Sequence, residues 1–315
     1  MRDSLGRDIT YLRLSVTELC DLRCRYCMPA EGVTKRRHED MLTEEETILA
    51  VTVAAELGVC KVRITGGEPL VKRNILSLCE RVAAVPGIEE LCLTTNGIRL
   101  PSVAKSLRDA GVKRVNLSLD TLDPEKYAYI TRVCRLEDAR RGLDAALDAG
   151  FERVKINAVL IGGFNDDEIP ALADLTRRYP VDVRFIELMP MGAGGFDRAS
   201  FVPGGLVLDK LPELVKEGEG AVASLYRLPG AQGQVGIIQP LSCRFCDRCD
   251  RIRLTADGRI KPCLHQSVEY PIKGLGKEAM KAQFTAAIEN KPPCHGELSY
   301  AAPSQANRPM HRIGG

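Results

Sequence analysis

The sequence predicts an α/β fold, an incomplete (β/α)6 TIM-like barrel whose open side is closed by a C-terminal cysteine-rich segment. Three observations lead there. Between about residues 10 and 190, short apolar runs alternate roughly six times with longer helical patterns. Several of these runs are apolar on consecutive positions, as in parallel strands covered by helices. Polar or glycine-rich residues stand just after the strand ends, and barrel enzymes keep their chemistry on that C-terminal rim. Six β-α units are fewer than eight, so one side should stay open.

The elements follow in order. Leu12 to Val16 is the first candidate strand, and the loop Cys20–Cys27 follows it. Thr43-Glu44-Glu45-Glu46 is a capping box ahead of the helical pattern of Ile48, Leu49 and Ala55, which ends at Gly58. Lys61 to Thr65 is the second strand and runs into Gly66-Gly67-Glu68-Pro69. Glu90 to Thr95 leads to Asn96-Gly97, and the next helix ends at Gly111. Arg114 to Leu119 precedes Asp120. Asp123-Pro124 then reads as an N-cap with proline at the first helical position, and Gly150 closes that stretch. Val154 to Ile161 and Val181 to Leu188 complete the set, the last running into Met189-Pro190-Met191. Beyond residue 190, Gly192, Gly194, Gly195, Gly204 and Gly205 mark loops. The natural division is residues 1–218 for the partial barrel and 219–315 for a segment with its own cysteines and a tail ending Gly314-Gly315.

A chain of 315 residues fits one large or two medium domains. Its net charge of +2 gives no reason to expect a nucleic-acid or membrane partner, so any basic patch must be local. No apolar run is long enough for a membrane span, and Met1–Asp8 lacks the apolar core of a signal peptide. The expected location is the cytoplasm. There, clustered cysteines bind metal or do redox chemistry more often than they form disulfides.

Of twelve cysteines, Cys20, Cys24 and Cys27 form one cluster and Cys243, Cys246, Cys249 and Cys263 another. The first has the spacing C-x3-C-x2-C with no fourth cysteine close behind. Three thiolates can hold a cubane iron–sulfur cluster and leave one iron open to a small molecule. The alternative is a zinc site completed by His38. In the second cluster a closed set of four and an open set of three are both available.

The first triplet, with Tyr26 before its last cysteine and Gly66-Gly67-Glu68-Pro69 after the second strand, resembles the radical S-adenosylmethionine (SAM) superfamily. The resemblance implies a [4Fe–4S] cluster whose fourth iron chelates SAM. It also implies SAM contacts from Tyr26, Gly67, Ser118 and Met189. Further motifs narrow it to the GTP 3′,8-cyclase family of molybdenum-cofactor biosynthesis, which are radical SAM lyases. These are Arg13-Leu14-Ser15, Arg63-Ile64-Thr65, Leu93-Thr94-Thr95-Asn96-Gly97, Asn165-Asp166-Asp167-Glu168, Arg184-Phe185-Ile186-Glu187, the C-terminal cysteines with two arginines, and Ile313-Gly314-Gly315.

That resemblance implies a second [4Fe–4S] cluster on Cys246, Cys249 and Cys263, open to the guanine of GTP. Arg13, Arg63, Thr94, Lys155, Arg251 and Arg253 match its GTP contacts, with the triphosphate across the barrel mouth. Arginine forks suit phosphate oxygens, and the chain has no G-x-x-x-x-G-K-[ST] loop to hold them instead. The implied reaction joins C3′ of the ribose to C8 of guanine and gives (8S)-3′,8-cyclo-7,8-dihydroguanosine 5′-triphosphate. Arg312, Gly314 and Gly315 would belong to a tail needed for activity. The implied partners are GTP, an electron donor such as flavodoxin or ferredoxin, the next enzyme of the pathway (cyclic pyranopterin monophosphate synthase) and a second copy in a homodimer. Cys243, a fourth cysteine where the family has three, and Asp250, an acid beside Arg251, depart from the pattern. A peptide-modifying radical SAM enzyme and a non-catalytic zinc-thiolate protein are the rival readings.

Overall fold

The computed structural model describes residues 1–34, 36–191, 198–296, 298–299, 302–306 and 308–314. The expected loop glycines Gly192, Gly194 and Gly195, and the terminal Gly315, lie outside them. The strands are β1 (Tyr11–Ser15), β2 (Lys61–Thr65), β3 (Glu90–Thr95), β4 (Val112–Ser118), β5 (Arg153–Leu160), β6 (Val181–Glu187), β7 (Val215–Glu219), β8 (Ser224–Arg227), β9 (Val235–Ile238), β10 (Arg251–Leu254), β11 (Arg259–Lys261) and β12 (Tyr270–Pro271). The helices are α1 (Glu44–Glu56), α2 (Ile75–Ala83), α3 (Leu100–Asp109), α4 (Pro124–Thr131), α5 (Leu136–Asp148), α6 (Ile169–Arg178), α7 (Leu206–Lys210), α8 (Lys277–Glu289) and α9 (Met310–Ile313).

The six expected strands are present within two residues at each end. So are the local signals. Thr43 caps α1 through a full capping box, and Asp123 caps α4 with Pro124 at its first position. Gly58, Gly111 and Gly150 all have positive φ, as C-terminal helix stops require.

β1 to β6 pair in parallel and in sequence order. The C-terminal segment then adds a parallel strand at each edge, β10 beside β1 and β9 beside β6. The sheet therefore contains eight parallel strands and is still open. The reason is hydrogen bonding: the outer edge of β10 is taken by antiparallel β11, and that of β9 by antiparallel β8. Edges already paired cannot pair with each other. The residues joining β9 to β10 cross between these edges, and they carry Cys246 and Cys249. The core lies outside the sheet, where Leu12, Leu14, Val62, Ile64, Leu93, Val115 and Leu117 meet the buried faces of the helices.

Two polar side chains fix the rim. Buried Asn165 accepts from the Ile161 amide (2.8 Å) and donates to the carbonyls of Asp120 (2.6 Å) and Val159 (2.8 Å), tying β5 to the loop after β4. Fully buried Glu187, the last residue of β6, accepts from the amides of Gly204 (2.8 Å), Leu241 (2.9 Å) and Ser242 (3.1 Å). It thereby holds the chain just ahead of the second cysteine cluster. The Asn165→Ala change orphans one amide and two carbonyls, at about 1–3 kcal/mol for each buried group left unpaired. The expected result is a urea midpoint that falls while the slope of the transition stays the same.

Candidate active site

Successive residues of a strand face opposite ways, and here the inward set is polar. β1 presents Tyr11 and Arg13; β2, Lys61 and Arg63; β4, Arg114, Asn116 and Ser118; β5, Arg153, Lys155 and Asn157; β6, Arg184; β10, Arg251 and Arg253. All of these line one chamber of about 580 Å³. Barrel interiors are usually filled by branched apolar side chains, so this one is built to hold something else. In register, Arg253, Arg13 and Arg63 stand side by side on adjacent strands, roughly 5 Å apart.

Crowded cations show in the electrostatics. Burial and then Arg253 press Arg13 well below the usual guanidinium value. Burial and then Arg251 bring Arg253 to about 10, and burial and then Arg63 bring Arg184 to about 10. A guanidinium keeps its proton, so these shifts express lost hydration and mutual repulsion. Burial and then Arg184 lower Lys155 to about 8, although Asp182 sits 2.8 Å from its ammonium. Arg63 donates to the Tyr11 hydroxyl and to the Leu93 carbonyl (3.0 Å). Arg184 makes no hydrogen bond among the described residues. These side chains sit at mid-depth, below the C-terminal rim, because they belong to strand interiors.

The first triplet lies at the C-terminal end, after β1, and Cys20, Cys24 and Cys27 all open onto the chamber. Burial pushes the Cys20 and Cys27 thiols up to about 12 and raises Cys24 well above the usual thiol value. Buried thiols without a cation favour the metal-bound thiolate as their charged state. His38, the proposed fourth zinc ligand, is exposed in a short turn and does not line the chamber. Among the described residues, no group of three or more such side chains is gathered around a single-ion position. Three thiols around one loop suit a cluster, which spreads its ligands over separate irons.

The glycine loop is fitted to this triplet. Gly67 N–H donates to Thr17 O and Glu68 N–H to Leu19 O, both at 2.8 Å. A Cβ on Gly67 would stand 2.4 Å from Leu19 O, so the two loops touch only because glycine is there. With its N–H spent, Gly67 has its carbonyl to offer a ligand amine. Buried Glu68 accepts from Thr95 Oγ1 (2.8 Å) and the Asn96 amide (2.7 Å), and burial raises its carboxyl to about 7. Asp120 accepts from the Tyr26 hydroxyl (2.7 Å) and the Val159 amide (2.9 Å), and burial raises it to about 6. Ser118 and Met189 complete this end.

The second triplet lies at the other end. Arg251 pairs with Tyr11, the first residue of β1, so Cys249 sits at the N-terminal end of the barrel. Cys263 follows β11, which runs antiparallel to β10, and reaches the same level. Roughly 13 Å of strand separates the two ends. Cys246, Cys249 and Cys263 line the chamber, whereas Cys243 is exposed and does not. Two cations brace this end. Buried Arg7 donates to the carbonyls of Cys246 and Pro292, both at 2.7 Å, and buried Lys291 to those of Arg251 (2.7 Å) and Pro262 (2.8 Å). Asp250 lies 3.7 Å from Arg251, a long contact that leaves the guanidinium facing the chamber.

The tail folds inward. Arg308 makes paired bonds to Asp257 (2.8 and 2.9 Å) and Glu269 (2.6 and 2.7 Å). Arg312 pairs with Glu18 at 3.3 Å and does not line the chamber. Arg253 donates to the Gly314 carbonyl at 2.6 Å. Gly314 has φ +85°, and a Cβ there would meet Thr65 Oγ1 at 2.4 Å.

Every predicted cysteine and every predicted ligand contact therefore borders one space, while Cys243, Arg312 and the described part of the terminal glycine pair stand outside its lining. Sequence reasoning missed Arg7, Lys291, Asp120 and Glu187 as supports, and Arg184 as a chamber cation. Period-two alternation within the strands was the signal for Arg184, and Glu187 and Asp120 stood in a motif and at a strand end; for Arg7 and Lys291, no local pattern existed.

Residues 14–176 match the Radical SAM superfamily, and residues 181–297 match Molybdenum Cofactor Synthesis C. Proteins called GTP 3′,8-cyclase are similar over all of both chains: 44% identical in Alkaliphilus metalliredigens, 45% in Moorella thermoacetica and 47% in Pelotomaculum thermopropionicum. Among solved structures, Streptococcus suis SuiB bound to S-adenosylmethionine superposes with a TM-score of 0.60 over 91% of this chain and 64% of that larger one. The hydrogenase maturase HydG superposes with a TM-score of 0.51 over 64% of this chain and 48% of its own. At 18% and 17% identity these two speak for the fold alone. By its full-length relatives and both matched regions, the chain belongs to the GTP 3′,8-cyclase family of radical SAM enzymes, which acts in molybdenum-cofactor biosynthesis.

Proposed function

We propose that the chamber holds GTP between the two cysteine triplets and brings C3′ of its ribose and C8 of its guanine together for ring closure. One observation carries this reading: the two triplets open onto opposite ends of a single space walled by cations. Residues 1–218 supply the end with Cys20, Cys24 and Cys27, and residues 219–315 the end with Cys246, Cys249 and Cys263. Each triplet would hold a [4Fe–4S] cluster. When bound, the clusters and SAM supply the electron and the radical that begin the reaction.

The chain's own residues do the positioning. The Gly67 carbonyl suits the amino group of SAM, and Tyr26, Ser118 and Met189 line the space beside it. Arg13, Arg63, Thr94, Lys155, Arg251 and Arg253 face a triphosphate, and Arg184 joins them. C3′ and C8 belong to one molecule, so fixing both ends of the nucleotide restricts its conformations to those that bring the two atoms together. In the tail, Gly314 positions this wall by taking a hydrogen bond from Arg253, and Arg312 anchors the turn before it on Glu18; the predicted role of Gly315 falls outside the described residues. The electron comes from a carrier such as flavodoxin or ferredoxin, and the product passes to cyclic pyranopterin monophosphate synthase. No helix among the described residues is long and apolar enough to cross a membrane. Our reading places the work in the cytoplasm, with a homodimer as its form.

Incubating the reduced, cluster-loaded protein with SAM tests the reaction. 5′-Deoxyadenosine should rise on adding GTP, and a yield indifferent to GTP would refute the substrate.

Arg184→Gln tests the chamber without any cluster. The half-buried Arg184 side chain is repelled by its neighbours and makes no hydrogen bond among the described residues, so its removal should raise the melting temperature of the nucleotide-free protein. The same change should weaken GTP binding by about 1.5–3 kcal/mol, roughly tenfold to hundredfold in Kd. Calorimetry reads both signs.

Cys243→Ala should retain full iron content and still show a GTP-induced change in the iron spectrum. Cys246→Ala should lose about half the iron, since one of two cubane sites loses a ligand.

A further inference from the structure

Around the first triplet, the inner and outer sides of α4 do different things. Tyr127, Ile130 and Thr131 line the chamber, while Tyr129 and Val133 are 51% and 55% exposed on the far side. Such exposure is unusual for large apolar side chains on the described surface, and these two are four residues apart. The cysteine loop is bonded directly to this helix end: the amides of Arg23 and Arg25 donate to the carbonyls of Thr131 and Ile130, both at 3.0 Å. A helix with its side chains is about 10–12 Å across, so a single layer separates this surface from the thiols.

The charges here are one-sided. Arg25 lies over the Tyr129 ring at 3.8 Å and donates to the Tyr129 carbonyl (2.9 Å). Arg23 donates to the carbonyls of Cys20 (2.7 Å) and Leu22 (2.8 Å). Arg132 donates to those of Arg23 (2.7 Å) and Met28 (3.1 Å). To do so Arg132 adopts φ +66°, the only positive φ at a non-glycine residue among those described, a conformation that L-residues other than glycine rarely take. Arg135 is exposed. None of these four guanidiniums pairs with a carboxylate among the described residues. The nearby acids Asp21 and Asp138 are taken by Arg99 and Arg141, leaving Glu31 and Glu137 as the uncommitted ones. Backbone carbonyls use the donors but cancel little of the charge.

We propose that this surface, with Tyr129 and Val133 at its centre and Arg23, Arg25, Arg132 and Arg135 around them, is the docking site for a small acidic one-electron carrier protein. An apolar centre with a charged rim is the anatomy of a transient interface. The complement of four unpaired guanidiniums is an acidic partner, and the buried thiols behind them are its destination. In the transfer the carrier's cofactor is oxidised by one electron and the centre on Cys20, Cys24 and Cys27 is reduced by one. No bond or proton changes place. The inference rests on that triplet holding a redox cluster.

The test uses the cluster-loaded enzyme under anaerobic conditions and a flavodoxin as probe. Val133→Glu combined with Arg135→Glu changes two exposed side chains outside the chamber. Calorimetric affinity for the flavodoxin should fall about tenfold or more, because like charges now face each other. Flavodoxin-driven 5′-deoxyadenosine formation should fall with it, while dithionite-driven formation stays at the wild-type rate. In the wild-type enzyme, raising ionic strength from about 0.05 M to about 0.5 M should weaken the affinity, since exposed charges are screened. An affinity unmoved by both the double change and salt, with dithionite turnover intact, overturns the docking site alone. A wild-type enzyme that binds iron yet makes no 5′-deoxyadenosine with dithionite overturns the cluster reading and this proposal together.

Discussion

Repulsion among buried cations is the constraint on which the rest of this structure depends. Arg253, Arg13 and Arg63 share one level of three adjacent strands, with Arg184 and Lys155 across from them. A parallel barrel would ordinarily collapse onto apolar side chains at this depth. Here the strands spend their outward residues on the helices, and β1, β2, β4, β5, β6 and β10 turn charge inward, so the space must stay open and wet or be filled by an anion. Asp182 answers Lys155 at 2.8 Å and Arg153 at 3.7 Å, and the Tyr11 hydroxyl and the Leu93 carbonyl take bonds from Arg63. The fold tolerates the remaining imbalance because its apolar core lies wholly between the sheet and the helices. A ligand with several negative charges removes the imbalance, and free energy released that way appears as binding.

The same constraint explains why eight parallel strands do not close. A closed barrel of this strand number encloses only enough room for side chains. Keeping β9 and β10 apart widens the interior, and the hairpin partners β8 and β11 satisfy the edges that closure would have satisfied. The gap is then spanned by the segment that carries Cys246 and Cys249. Glu187 holds the start of that segment through its amides, and Arg7 holds Cys246 through its carbonyl. Opening the barrel and placing the second triplet are therefore one structural event.

Much of this was legible in the sequence because it is local. Capping residues, glycine stops and strand runs act over a few positions, and all of them appear where the chain announces them. The cysteine spacings and the loop motifs carried the chemistry in the same way. Placement of the two triplets at opposite ends was less legible, since it depends on β10 pairing with β1 across some 240 residues. Arg7 and Lys291 were illegible for the same reason: Arg7 meets its carbonyls only when the N-terminus reaches Cys246 and Pro292, and Lys291 only when the C-terminal segment folds back on Arg251 and Pro262. Arg184 stood within a recognised motif, yet its role emerged only when strand alternation turned it inward. Reading several strands as apolar on consecutive positions hid this, because their polar positions belong to the chamber and their apolar ones to the core.

Cys243 shows how burial can separate readings that spacing leaves open. Its interval to Cys246 equals that between Cys246 and Cys249, so sequence alone admits a closed set of four. In the fold it follows the turn held by Glu187, on the outside of the segment, and is exposed, whereas the other three thiols face inward. For Cys243 to join them, the turn at Leu241 and Ser242 would have to rotate and give up its bonds to the buried Glu187 carboxylate. Bonds to a buried charge are worth about 1.5–3 kcal/mol each, and losing several together would leave that charge without partners. In this structure those bonds keep Cys243 outside, and Cys246, Cys249 and Cys263 alone of the four line the chamber with its cations.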